Sequence, residues 1–396
     1  MGTEFGRQLQ AQRNARGLTR HDIASAACPA DYIALIEEGR REPTPEVIRE
    51  LAGRLQLTPA QLDARDQTPS PEEAAYLLHS MAARQSHDLR EYDSAAAHAA
   101  QAAHAAREAG KKGAWWDMTS LHAESLMKLR QFAKAAALAR TLLAHPLGAA
   151  GPLTARAHDL LARSERGRGR IGAAVEHARE AVRAAATALP RTPVPLEPLR
   201  TLVESLADAG HLEEAWDYCG ILADLAEDEP DGPLQGTAHA AIGNVAFLRG
   251  DHSGGATRHA RAGRALSPAN DIGLWAEFSK AAASARITGG DLGPETANAL
   301  ERAELAYSVI GGTREDQIEL SLLRARWLYA TGSPAQALAL LRDVHAEKHL
   351  LAHHHAAHAS LLLGRALGAA GQQEEADRVL DAAAHQLALA GIRPQT

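Results

Sequence analysis

Six histidines crowd one stretch near the C-terminus: His345, His349, His353, His354, His355 and His358. His345, His349 and His353, and likewise His354 and His358, are spaced i, i+4. That spacing puts imidazoles on one helix face and suits a transition metal. No cysteine and no well-placed carboxylate completes a ligand set. The stretch therefore reads as titratable helix surface with a charge change near neutral pH, and no metal is expected. P-loop, GxSxG, HExxH and CxxC patterns are absent. Gly289-Gly290 and Gly311-Gly312 fit helix ends rather than phosphate cradles. Nothing here supports catalysis or a cofactor, so the chemistry to look for is binding.

Composition narrows the partners. The 396 residues are 45% hydrophobic, 23% charged and only 4% aromatic, so a folded core must be built from Ala and Leu. A net charge of −7 excludes a strongly cationic nucleic-acid coat. Two cysteines, Cys28 and Cys219, exclude a disulfide scaffold. No uninterrupted apolar run reaches the ~18 residues of a membrane span, and the first residues, MGTEFGRQLQAQR, are too polar for a secretory signal. A cytoplasmic location without membrane contact is the expectation.

The elements that must position any binding residues are all helical, because no period-2 alternation persists. Residues 1–65 hold short capped segments. Residues 66–71, Asp-Gln-Thr-Pro-Ser-Pro, read as a linker. Residues 72–396 repeat with a period of about 40, marked by Ala95, Ala135, Ala174, Ala215, Gly255, Glu295, Ala337 and Ala376. Five residues before these stand Arg90, Arg130, Gly169, Gly210, Gly250, Gly290, Gly332 and Gly371, a column where a helix ends and turns back. Twelve before them stand Ala83, Ala123, Ala162, Val203, Gly243, Ala283, Ala325 and Gly364, small enough for close helix packing. Glu295 fits the first column worst. The stretch Pro190–Pro198 reads as a loop. The pattern predicts about eight αα-hairpins in a solenoid.

These columns, with Tyr92, Phe132, Ile171 and Leu212 at a bulky site, resemble tetratricopeptide repeats over residues 72–390. The resemblance implies a right-handed solenoid whose first helices line an inner groove. Its inward stripe then contains Arg163, Arg200, Asn244, Lys280 and Arg326 as ligand-binding candidates, side chains that hold peptide carbonyls and carboxylates. The same stripe takes in Arg156, Asp159, Arg166, Glu197, Glu204, Phe247 and Tyr329.

The N-terminal segment predicts five short helices: Thr3–Arg16, one from Thr19 with Asp22 in capping-box position, one from Pro29 to Glu38, one from Thr44-Pro45, and one from Thr58-Pro59. Gly17-Leu18-Thr19, Ile23-Ala24, Tyr32-Ile33, Ile36-Glu37-Glu38-Gly39-Arg40 and Leu51-Ala52 through Leu57 resemble the lambda-repressor-like (XRE-type) helix-turn-helix domain. That resemblance makes the helix from Pro29 the one that enters the major groove. It places Thr19, Arg20, Pro29, Ala30, Asp31, Tyr32, Arg40 and Arg41 at DNA and pairs Arg13 with Glu37 in a structural role. The turn Ser25-Ala26-Ala27-Cys28-Pro29 lacks the family's glycine. Nine arginines against ten acidic residues give residues 1–66 a net charge of −1, which offers little phosphate attraction.

Together the two parts resemble the peptide-responsive regulator group called RRNPP. The group implies a homodimeric transcription regulator whose partners are double-stranded DNA and a peptide or small-molecule signal. The alternative is a protein–protein adaptor whose N-terminal domain no longer reads DNA.

Overall fold

The computed structural model describes residues 2–62, 70–186, 196–229, 232–351 and 353–389. Within these residues the chain is helical and contains no strand. It divides into two compact units, Met1–Ala75 and Tyr76–Thr396. Most of the expected linker, up to Pro69, lies outside the described residues, as do residues 190–195 of the expected loop.

The first unit contains α1 (Gly2–Ala15), α2 (Ala30–Glu37), α3 (Pro45–Arg54) and α4 (Pro59–Leu62). Leu9, Ile23, Cys28, Ile33, Ile36, Leu51, Leu55 and Leu62 form its core. Gly6 lets α1 cross the end of α2, since a Cβ there would overlap the Ile36 carbonyl. Thr44 caps α3 by accepting from the Val47 N–H, with Pro45 welcome in the first turn.

The expected second helix is a single turn. Thr19 and Asp22 do close a capping box, with the Thr19 N–H and Oγ1 at 2.6 and 2.7 Å from Asp22 Oδ2. Only i, i+3 bonds follow, from Asp22 to Thr19 and from Ala24 to His21. Ser25 then exchanges backbone bonds with Cys28, and its Oγ accepts the Cys28 N–H at 3.0 Å. Those groups would have continued a helix, and the serine side chain competes for them. The short span between buried Ile23 and buried Cys28 favours this turn. The unit therefore has four helices. Pro29 is the residue capping α2, with extended backbone, rather than its first helical residue.

Eight hairpins follow, all in the second unit except the first five residues of α5: α5 (Pro71–Asp88) with α6 (Tyr92–Glu108), α7 (Lys112–Lys128) with α8 (Phe132–Ala144), α9 (Gly151–Gly167) with α10 (Ile171–Ala186), and α11 (Leu196–Asp208) with α12 (Leu212–Glu227). They continue with α13 (Pro233–Leu248) and α14 (His252–Ala265), α15 (Ile272–Thr288) and α16 (Pro294–Ile310), α17 (Arg314–Ala330) and α18 (Pro334–Ala346), and α19 (His353–Ala369) and α20 (Gln373–Leu389). Leu196–Pro198, read from sequence as loop, is the first turn of α11.

All eight turn positions of the glycine column have positive φ, including Arg90 at 64° and Arg130 at 57°. The small residues of the other column are all buried; at Gly243 a Cβ would strike the His259 ring. Glu295 breaks the pattern because the turn before α16 is two residues longer than in the other hairpins. Thr296 takes the buried place instead, its hydroxyl donating to the Asp291 carbonyl at 2.7 Å.

Candidate functional site

In the first unit, Glu37 ends α2 with its side chain 1% exposed. Arg13 Nε reaches its Oε1 at 2.7 Å, and Arg20 Nε reaches its Oε2 at 2.7 Å. Burial pushes the Glu37 pKa up, but the hydrogen bonds from the two guanidiniums outweigh it and hold the carboxyl below its ordinary range. Arg13 thus has the structural role expected of it. Arg20, expected at phosphate, is instead folded onto Glu37. Thr19, Pro29, Asp31, Arg40 and Arg41 are exposed, while Ala30 and Tyr32 are half-buried. Arg40 lies 3.6 Å from Glu38, with both side chains at least half exposed. The face beside α2 presents Ala26, Ala27 and Asp31, which give almost no donors for base edges. Arg40 and Arg41 remain as the exposed cations of this loop.

In the second unit, the inner face of the hairpins encloses a cavity of about 2370 Å³. Arg163, Asn244, Lys280 and Arg326 line it together; Arg200 does not. Arg200 is turned onto Glu204 at 2.7 Å with its side chain 18% exposed. Phe247, on the expected stripe, is fully buried and stacks against His252 and His259. Tyr92, Phe132, Ile171 and Leu212, read from sequence as a bulky packing column, form an apolar edge of the cavity.

The four gathered side chains differ in electrostatic state. Lys280 Nζ sits 2.9 Å from Glu319 and 3.5 Å from Asp316, and Arg130 reaches Glu319 at 2.5 Å. Burial pushes the Glu319 pKa up, but Lys280 and Arg130 bring it down to about 2. Lys280 is therefore already neutralised. Arg163 lies 3.6 Å from Asp159. Asn244 Oδ1 is 3.0 Å from His259 Nε2. Burial holds His259 neutral, with a pKa lowered to about 3, so its ring offers Asn244 a steady donor. The Asn244 amide keeps two donors of its own. Arg326 donates to Thr288 Oγ1 at 2.9 Å, and among the described residues no carboxylate is within ion-pair distance of it. Burial alone lowers its pKa.

Sequence reasoning missed the residues that close the cavity. Arg90 pairs with Asp271, Lys128 with Glu277 at 2.5 Å, and Arg130 with Glu319, joining the first two hairpins to the sixth and seventh. The available signal was Arg90 and Arg130 themselves, the two positions where the turn column is not glycine. Among the described lining residues, ten arginines and lysines face seven acidic residues, a local balance of +3 in a chain of −7. This surface suits an extended ligand with carbonyls and at least one carboxylate.

No helix among the described residues is long and apolar enough to cross a membrane. No curated protein is significantly similar to the chain in sequence. Among solved structures, PlcR of Bacillus thuringiensis, in complex with the peptide PapR7 and DNA, is 11% identical. The match covers 78% of this chain and 96% of that chain with a TM-score of 0.35. Aspartyl phosphate phosphatase F from Bacillus subtilis is 12% identical, with 100% and 96% covered and a TM-score of 0.45. Both likenesses are too distant to assign chemistry to this chain. Residues 4–64 match the family described as a helix-turn-helix domain, so the chain carries a helix-turn-helix domain ahead of its array of helical hairpins.

Proposed function

We propose that the chain is a ligand-responsive, DNA-binding transcription regulator. The hairpin unit takes up a peptide or similarly extended polar signal, and the helix-turn-helix domain contacts double-stranded DNA. The protein acts as a homodimer in the cytoplasm and performs no catalysis. The observation that carries this reading is a helix-turn-helix domain in one chain with a large, net-positive cavity where Arg163, Asn244 and Arg326 converge. Thr19, Tyr32, Arg40 and Arg41 meet phosphate, and the N-terminal end of α2, from Pro29 to Asp31, lies against the bases with little to read them.

A gel-shift with double-stranded fragments from upstream of the chain's own coding region, at several salt concentrations, tests the DNA half. Arg40→Ala with Arg41→Ala weakens binding to all sequences alike and flattens the salt dependence by about one log unit per lost phosphate contact. Unchanged affinity and slope in that variant overturn the docking. One observation favours the adaptor alternative: Arg20 is held by Glu37, and the second helix of the motif is a single turn. Absence of any shift, with a protein retained on the hairpin unit, selects that alternative.

A further inference from the structure

We propose that a second, smaller cavity on α9 and α11 is a subsite for a guanidinium or ammonium group. The cavity measures about 180 Å³ and is lined by Pro152, Ala155, Arg156, Asp159, Glu197 and Pro198. Asp159 is 1% exposed, and neither of its carboxylate oxygens accepts a hydrogen bond within the protein. Arg163 Nη1, one turn along the same helix, stops at 3.6 Å, beyond hydrogen-bond distance. Arg156, the one cation in the wall, is engaged by Glu197 at 3.0 Å and by Glu124. The wall thus carries two carboxylates and one guanidinium that is already shared.

A buried carboxylate without donors is costly, and a ligand that brings N–H groups and positive charge relieves that cost. An anion finds no spare donor in this wall. Two prolines and an alanine supply apolar sides for the flat face or methylene stem of a cationic side chain. The volume is more than ten times the roughly 10–15 Å³ that one water requires.

This inference builds on the proposed ligand groove. Arg163 faces the large cavity one helical turn from Asp159, so an extended ligand lying there can place one cationic residue here. The ligand class narrows to peptides or similar chains carrying a cationic group as well as a carboxylate.

The test uses the full chain and capped single-residue probes that fill only the small cavity, so its outcome is independent of the large one. Calorimetry and saturation-transfer NMR compare N-acetyl-arginine amide, N-acetyl-lysine amide and the neutral N-acetyl-citrulline amide. The expected result is saturable binding of a cationic probe, with the citrulline probe at least tenfold weaker. The arginine and lysine arms decide between guanidinium and ammonium. Asp159→Asn and Glu197→Gln each weaken the preferred probe tenfold or more while circular dichroism stays unchanged. Glu197 is 45% exposed, so its variant remains informative if Asp159→Asn fails to fold. Equal binding of the citrulline probe, no saturable binding, or full binding in the variants overturns the proposal and leaves the cavity to solvent.

Discussion

The two units employ arginine in opposite ways. In the helix-turn-helix domain, Arg13 and Arg20 converge on one buried carboxylate and are consumed in holding α1 and the following turn to α2. In the hairpin unit, arginines outnumber their acidic partners along a cavity wall, and Arg326 has none within reach among the described residues. A fully paired arginine stabilises a fold. A desolvated arginine without an acid stores an electrostatic cost that a bound anion can relieve. On that contrast, the proposed regulator should draw its specificity for a signal from the hairpins, with the N-terminal domain supplying mainly phosphate contact.

Removing Glu37 should give the largest effect. Glu37→Ala leaves Arg13 buried without its counter-ion and should destabilise the first unit by about 3–5 kcal/mol. Urea unfolding followed separately in the two units checks this: the hairpin transition stays in place, and a joint shift would contradict the independence of the two arginine systems. Next in size, Glu319→Gln strips both Arg130 and Lys280 of compensation and should cost the hairpin unit about 2–3 kcal/mol. Small-angle scattering should also show the isolated hairpin unit expanding as the cross-cavity contact is lost.

Acid should separate the two units as well. His259 is neutral in the folded protein with a pKa of about 3, whereas an unfolded histidine takes a proton near 6.5. Stability contributed by this residue is intact above pH 6.5 and falls by about 1.4 kcal/mol per pH unit below it, down to about pH 3. Glu37, held below its ordinary value, gives stability that is present above about pH 4.5 and lost only as pH falls further. The hairpin unit should therefore weaken first on acidification, and His259→Gln should make its slope shallower. Equal acid midpoints for the two units would refute this. The smallest expected effect is Asn244→Ala, which should lower affinity for the signal by about tenfold, or ~1.4 kcal/mol. Calorimetry against a bound ligand recovered from the native protein measures it. Unaltered affinity in both Asn244→Ala and Arg326→Gln would move the binding site out of the large cavity.

The hairpins were legible because a left-handed turn restricts the residues that can occupy it, and six glycines at a steady interval reveal the phase of the repeat. The stripe facing the cavity followed from that phase. The state of each side chain on it did not. Arg166 pairs with Glu204 and Lys280 with Glu319 across successive hairpins, and such pairings depend on where long side chains meet rather than on helical period. The turn that replaces the second N-terminal helix was equally hidden, because the Thr19–Asp22 capping box that signals a helix is present and satisfied. It is Ser25, three residues later, that diverts the backbone.

Arg90 and Arg130 occupy a backbone conformation that costs a side-chain-bearing residue roughly 1–2 kcal/mol. Their guanidiniums meet residues 181 and 189 positions away in sequence. A linear array of repeats unfolds from its ends, because each repeat touches only its neighbours. Joining the first two hairpins to the sixth and seventh ties one end of the array to a distant part of it. Local opening of α5–α8 then forfeits contacts on α15 and α17 as well, so amide hydrogens in these separated helices should exchange with a shared opening free energy.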